Sequence, residues 1–246
     1  MAWSWAQDWL AAWVAESLQD WTPEEAASLR SGQLFFYATF VGPTVLYYYR
    51  FGPDQVPRFP ATISFTIRAG LPKWTHHAIW FAGWHCVLTS LARRPLGLLF
   101  ASQMVATGMV ATMLAPCGHS RALDLVHYAS ALAYMLDHIA MLAYWRMASW
   151  VWAGFGASLL AFVLAFVAKE SYRARHGIKA ANGASAEAIA SASAAKLGPP
   201  DDPRRDRLWS LEAMEMACEF GLFFFFVRGM STGGPWAGWD HFLPVK

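Results

Sequence analysis

Apolar runs of roughly twenty residues recur along the chain, broken by short polar or proline-containing stretches. That is the length a helix needs to cross the hydrocarbon core of a bilayer. In order, the runs predict six spans: 33–49, 74–92, 96–114, 122–145, 150–168 and 208–227. Each ends at a charge or a helix breaker. Arg50 follows the first, Arg93-Arg94-Pro95 the second, Pro116 and Gly118 the third, Arg146 the fourth, Lys169-Glu170 the fifth, and Arg228-Gly229 the sixth. Thr22-Pro23-Glu24-Glu25 leads into the first span as a capping box, with Thr22 as cap, Pro23 in the first turn and Glu25 reaching back. Gly42-Pro43 lies inside that span and predicts a kink.

Three stretches do not read as spans. Residues 1–21 carry Trp3, Trp5, Trp9, Trp13 and Trp21 with Asp8, Glu16 and Asp20 between them. Leu10, Trp13, Val14 and Leu18 recur at helical spacing, which predicts an amphipathic helix lying at the membrane interface or packed on the protein itself. Residues 51–73 form a proline-rich loop, and its apolar, β-branched stretch 61–67 is too short to span. It is expected to be half-buried or re-entrant, with its backbone satisfied by protein or water. Residues 169–207 read as a flexible Ala/Ser/Gly linker. The predicted fold class is therefore all-α: a polytopic transmembrane helix bundle of about six spans with an amphipathic N-terminal helix. Its organisation is 1–21 interfacial helix, 22–168 spans one to five, 169–207 linker, and 208–246 sixth span and tail.

Composition strengthens this picture. The chain is 56% hydrophobic and 15% charged, with a mean hydropathy of +0.27, against about 25% charged in soluble domains. The formal net charge of +2 is too small for polyanion recognition, so no nucleic-acid partner is expected. Membrane lipids are the expected partners, along with other membrane-protein subunits if the chain is part of a complex. Three cysteines, Cys86, Cys117 and Cys218, make no disulfide framework. Six spans put both termini on one side, with six of the nineteen basic residues; the positive-inside rule then places the 169–207 linker in the cytoplasm.

Ionisable residues inside a membrane are costly and tend to face the bundle interior, so they mark candidate chemistry. Span four carries Asp124, His127, Ser130, Tyr134, Asp137 and His138. His127 and His138 are about three turns apart on one face, with Tyr134 between them. Span six carries Glu212, Glu215 and Glu219 as one carboxylate stripe, with Glu219 deepest. Span two carries His85 near mid-membrane, while His76 and His77 beside Trp74 read as rim residues. Gln103 and Thr107 in span three read as packing hydrogen bonds, and Gly154 and Gly156 as close-packing positions. The candidate polar site is thus His85, Asp124, His127, Tyr134, His138, Glu215 and Glu219. Its chemistry is left open by the residues: a lipid-headgroup site, a metal-assisted hydrolase lacking any tight ligand spacing, or a haem-binding electron carrier with axial histidines such as His77, His85, His127 and His138. No cofactor is specified. Interhelical hydrogen bonding in a non-catalytic subunit or scaffold accounts for the same residues.

The order of short motifs resembles one known family. Phe59-Pro60-Ala61-Thr62-Ile63-Ser64 leads through Leu71-Pro72 into the span bearing His85; Arg94-Pro95-Leu96 follows, then His127 early in span four and Leu211-Glu212 at the opening of the last span. This order is similar to that of the six-span DRAM/Frag/Sfk family, nearest to its branch acting in the Golgi on the lipids of GPI anchors. The resemblance implies an endomembrane protein of the ER, Golgi or lysosome, working in GPI-anchor lipid remodelling or membrane organisation. Pro60 and Ser64 in the loop, His85, His127 and Glu212 are the matched positions. It also implies cytosolic termini, opposite to the charge count.

Overall fold

A computed structural model describes residues 2–51, 63–67, 70–114, 121–177 and 203–230. Every regular element among them is helical: α1 Ala2–Ser17, α2 Pro23–Phe51, α3 Ile63–Thr66, α4 Gly70–Ser90, α5 Pro95–Met109 continued by a π turn Val110–Leu114, α6 Arg121–Tyr144, α7 Ser149–Arg175 and α8 Pro203–Gly229. Three stretches, Pro95–Leu114, Leu125–Tyr144 and Ser149–Arg175, are long and apolar enough to cross a membrane. The expected capping box forms at α2. The Glu25 amide donates to Thr22 Oγ1 at 3.2 Å, and the Thr22 amide donates to the Glu25 carboxylate at 3.0 Å.

Several boundaries differ from the sequence reading. α4 starts at Gly70, so Leu71-Pro72 opens the helix instead of preceding it. α7 runs on through Lys169, Glu170 and Arg173 to Arg175, and α8 begins at Pro203. Both ends of the supposed linker are therefore helical; most of the rest, like the 231–246 tail, lies outside the described residues. The charged ends pair with each other across the two helices, where Lys169 binds the Glu215 carboxylate and Arg173 reaches Glu212 at 2.8 Å, and within α7 Arg173 also reaches Glu170 at 2.7 Å. The apolar stretch in the proline-rich loop contains a single buried helical turn, α3, with Ile63, Thr66 and Ile67 almost wholly enclosed.

Successive long helices pack antiparallel. Gly32 of α2 sits against Gly83 of α4, where an added Cβ would meet the Gly83 carbonyl at 3.0 Å and Val87 at 3.1 Å. Small residues let two helix backbones approach closely where hydrophobic exclusion from water cannot drive contact. Gly154 of α7 likewise lies against Phe225 of α8, whereas nothing approaches Gly156, which is not a packing position. Around the bundle α2 packs on α4, α4 on α5, α5 on α6, α6 on α8 and α8 on α2. These five helices form a closed ring. α7 braces α8 from outside, and α3 lies between α2 and α8 at one end. Trp84, Val87, Leu91, Met104, Met141, Leu142 and Phe226 fill the centre, while Leu99, Leu125, Leu132, Leu136, Leu160 and Leu164 point outward.

α1 crosses the opposite end and is docked on the protein. Trp13 stacks edge-on against Phe100 of α5 and Tyr144 of α6, with centroids 4.5 and 5.5 Å away. Glu16, read from sequence as part of a surface helix, is buried. Its carboxylate accepts the Leu96 and Gly97 amides at 3.0 and 2.8 Å and the Tyr144 hydroxyl at 2.8 Å. It thereby caps α5, whose own N-cap residue Arg94 makes no side-chain cap. Arg94, read as a loop terminator, is 1% exposed. Its guanidinium donates to the carbonyls of Glu16, Gln19 and Asp20 at the C-terminal end of α1, lies 3.9 Å from the Trp21 ring, and approaches the Glu25 carboxylate at 3.6 Å. Leu10 and Val14 of α1, and Leu18 just beyond its end, face away from the bundle and are exposed. The apolar positions expected to share one face are thus divided, because Trp13 turns inward with Glu16.

α6 ends in a Schellman arrangement. The Met147 amide reaches the Leu142 carbonyl at 3.4 Å, and Arg146 adopts a φ of 52°. That left-handed conformation is costly for a residue with a Cβ and free for glycine. Arg146→Gly is expected to stabilise the chain by about 1 kcal/mol, raising the melting temperature of the detergent-solubilised protein by about 2–4 °C. An unchanged or lower melting temperature would show that the Arg146 side chain contributes more than its backbone strain removes.

Candidate functional site

The five-helix ring encloses a cavity of about 90 Å³, enough for roughly three waters or one small polar group. α2 supplies Phe36 and Phe40, α3 and the turn after it supply Ile63 and Ile67, and α8 supplies Phe223, Phe226 and Val227. Set into these apolar walls are His76, Thr112, His127, Tyr134, His138 and Glu219. They come from α4, the π turn, α6 and α8.

Helical phase explains which polar residues arrive. On α6, His127, Tyr134 and His138 recur after two turns and one turn, and all three line the cavity. Tyr134 and His138 meet edge to face at 4.3 Å. His138 donates from Nδ1 to the Tyr134 carbonyl at 2.6 Å and packs among Phe155, Phe223 and Phe226, the last with its centroid 4.0 Å away. The His127 Nδ1 donates to the Ala111 carbonyl at 2.8 Å. On α8, Glu219 accepts the Ile63 amide at 2.5 Å, so the deepest carboxylate ties α3 across the end of the cavity. In the described part of the 61–67 stretch, protein thus satisfies the Ile63 amide through Glu219 and the Ile67 amide through the Ile63 carbonyl.

Two candidates named from sequence lie elsewhere. His85 is exposed on the outer side of α4. The buried residues of that helix are Pro72, His76, His77, Trp80, Gly83, Trp84, Val87 and Ser90. His85 is nine residues, about two and a half turns, from His76, which places it on the opposite face. Glu215 is also outside the cavity, because Lys169 of α7 takes its carboxylate. Its neighbour Glu212 binds Arg173. The carboxylate stripe therefore divides: its first two members lock α7 to α8, and only Glu219 reaches the site. Pro60 and the side chains of Ser64 and Asp124 lie outside the described residues.

His76, read as a rim residue, belongs to the cavity and was missed. It is 6% exposed, and its ring faces the backbone carbonyl of Thr39 on α2. Pro43 explains why that carbonyl is available. A helical carbonyl normally accepts the amide four residues on, and Pro43 has none. The 76-80-83-87 spacing could have signalled this face. His77 is tied instead to the Lys73 carbonyl at 2.7 Å and to Thr112 Oγ1 at 3.2 Å. Asp137 turns away from the cavity toward α5, where Gln103 donates to it at 2.8 Å and Thr107 at 3.1 Å. Those two residues pack the bundle as their spacing suggested. With His85 outside and His77 bound as above, the histidines considered as axial partners do not all face one space. Among the described residues, no three His, Cys, Asp or Glu side chains stand close enough to share a metal ion.

Comparison of the chain with family models, curated proteins and solved structures finds no match.

Proposed function

We propose that this chain is a six-span integral membrane protein of an endomembrane, and that the cavity ringed by α2, α4, α5, α6 and α8 receives the polar head of a lipid. The observation that carries this reading is the cavity's mixed character: hydrogen-bonding side chains converge from several helices within apolar walls. An amphiphile has the matching division, with a polar head to meet the imidazoles and an apolar chain to lie along the outward leucines. α2, α4 and α8 complete the six spans in this reading. Their average hydropathy is lowered by residues such as Gln33, His76, Glu215 and Glu219, which are buried. A polar side chain facing its neighbours does not bar a helix from the bilayer. The outward stripe Leu10, Val14 and Leu18 fits α1 to the headgroup region.

The order of motifs shared with the DRAM/Frag/Sfk family narrows the proposal to the lipid part of GPI anchors. The test is His127→Ala and Glu219→Ala in cells lacking the native protein. Surface levels of GPI-anchored proteins are expected to fall in both variants while the variants themselves accumulate normally. Unchanged surface levels at normal expression would remove the GPI assignment. For the broader lipid reading, the measurement is whether the purified chain retains any phospholipid above its share in the surrounding bilayer.

A further inference from the structure

One end of the α7–α8 pair carries positive charge that the bundle does not use. The apolar part of α7, residues 150–168, is about 28 Å long as a helix and matches the hydrocarbon core of a bilayer. Helix continues to Arg175, so the turns after Lys169 stand at the depth of lipid headgroups. α8 begins at Pro203 at the same end. Trp209 is 48% exposed there, where an indole is comfortable between lipid and water. Lys169 and Arg173 are spent inside the pair, on Glu215, Glu212 and Glu170. Arg175 and Arg207 are exposed and form no ion pair among the described residues. Asp206, the exposed acid next to Arg207, projects about 100° away round the helix.

The ion pairs also fix how the two free arginines stand. Lys169 is level with Glu215, and Arg173 with Glu212. Continuing that antiparallel register leaves Arg175 and Arg207 only about 4 Å apart along the axis. Helical phase turns both to one flank. Counted from Arg173 and Glu212, both leave the seam on the side where Lys169 meets Glu215. The axes of packed helices lie about 8–10 Å apart, a separation that two side chains as long as arginine can close on a shared group.

We propose that this flank of the α7–α8 pair binds the head of an anionic phospholipid, with Arg175 and Arg207 on its phosphate. Guanidinium forks match phosphate oxygens, and at this depth the abundant phosphate is that of a lipid. Phosphatidylcholine and phosphatidylethanolamine carry an ammonium of their own beside the phosphate. An anionic head does not, and it compensates charges that the acids of the seam leave over. Arg204 and Arg205, which precede Arg207 on α8, add to the potential that draws such a lipid. The site is separate from the cavity and requires only that α7 cross a membrane.

The experiment uses the purified full chain in phosphatidylcholine nanodiscs doped in turn with phosphatidylserine, phosphatidylinositol 4-phosphate or phosphatidylethanolamine. Co-purified lipid is read by native mass spectrometry. Both anionic lipids are expected to be enriched over phosphatidylcholine, and less so as salt is raised. Arg175→Gln and Arg207→Gln are each expected to cut that enrichment about five-fold, the worth of one basic residue at a charged lipid surface. Arg93→Gln removes the same charge from an exposed position at the opposite end of the bundle. It is expected to leave the enrichment unchanged, which separates a site from net charge.

No enrichment of either anionic lipid, unchanged enrichment in both arginine variants, or an equal loss in Arg93→Gln would each overturn the proposal. Binding of inorganic phosphate to the detergent-solubilised chain, with neither anionic lipid enriched, would overturn the lipid as its source. None of these outcomes bears on the cavity, whose test reads His127 and Glu219.

Discussion

Arg94→Ala is expected to lower the melting temperature of the detergent-solubilised chain by about 6–12 °C, corresponding to a loss of about 3 kcal/mol or more. The side chain is almost wholly enclosed, and three carbonyls closing α1 converge on its guanidinium. Removing it leaves those carbonyls without their donor and leaves the half-buried Glu25 carboxylate without the positive charge 3.6 Å away. An uncompensated charge away from water is what makes breaking a buried pair more damaging than never having had one. Arg94→Lys is expected to recover only part of the loss. An ammonium cannot fork to carbonyls on separate residues while its flat face lies on Trp21. Thermal melting of the three proteins decides this. If the lysine variant melts with the native chain, the fork geometry is irrelevant and a point charge suffices.

The second large effect lies at the other end of the bundle. Lys169→Met is expected to cost about 3–5 kcal/mol, because it strands Glu215 in the seam between α7 and α8. Adding Glu215→Leu to the same chain is expected to return most of that stability. Two apolar side chains of similar bulk replace the pair and carry no desolvation penalty. Melting of both singles and the double in one detergent completes the cycle. A double variant as unstable as Lys169→Met alone would show that the seam needs the charges for its geometry. The neighbouring Arg173–Glu212 contact remains in all variants and keeps the helices in register.

The helices of the bundle were legible in the sequence because an apolar run bounded by charge or proline is a local property, and three of them are long and apolar enough to cross a membrane. The α6 side of the cavity was legible for a similar reason, since His127, Tyr134 and His138 obey one helical period. The errors arose where a side chain's direction depends on which neighbour its helix meets. His85 and His76 lie on one helix, and mid-membrane depth favoured His85, but α4 turns the face bearing His76 and Trp80 inward. Glu215 and Glu219 share a stripe, yet Lys169 captures the first. Glu16 and Arg94 are separated by most of three elements, so no local pattern could reveal that they close each other's helix ends.

By itself, then, the order of residues settled the all-helical class, the capping box at Thr22 and the polar stripe of α6, because each is decided within a few turns of one helix. Tertiary structure alone decided which titratable groups share a cavity and which are spent joining helices. A buried polar atom is defined by its partner, and in this bundle the partners come from other helices.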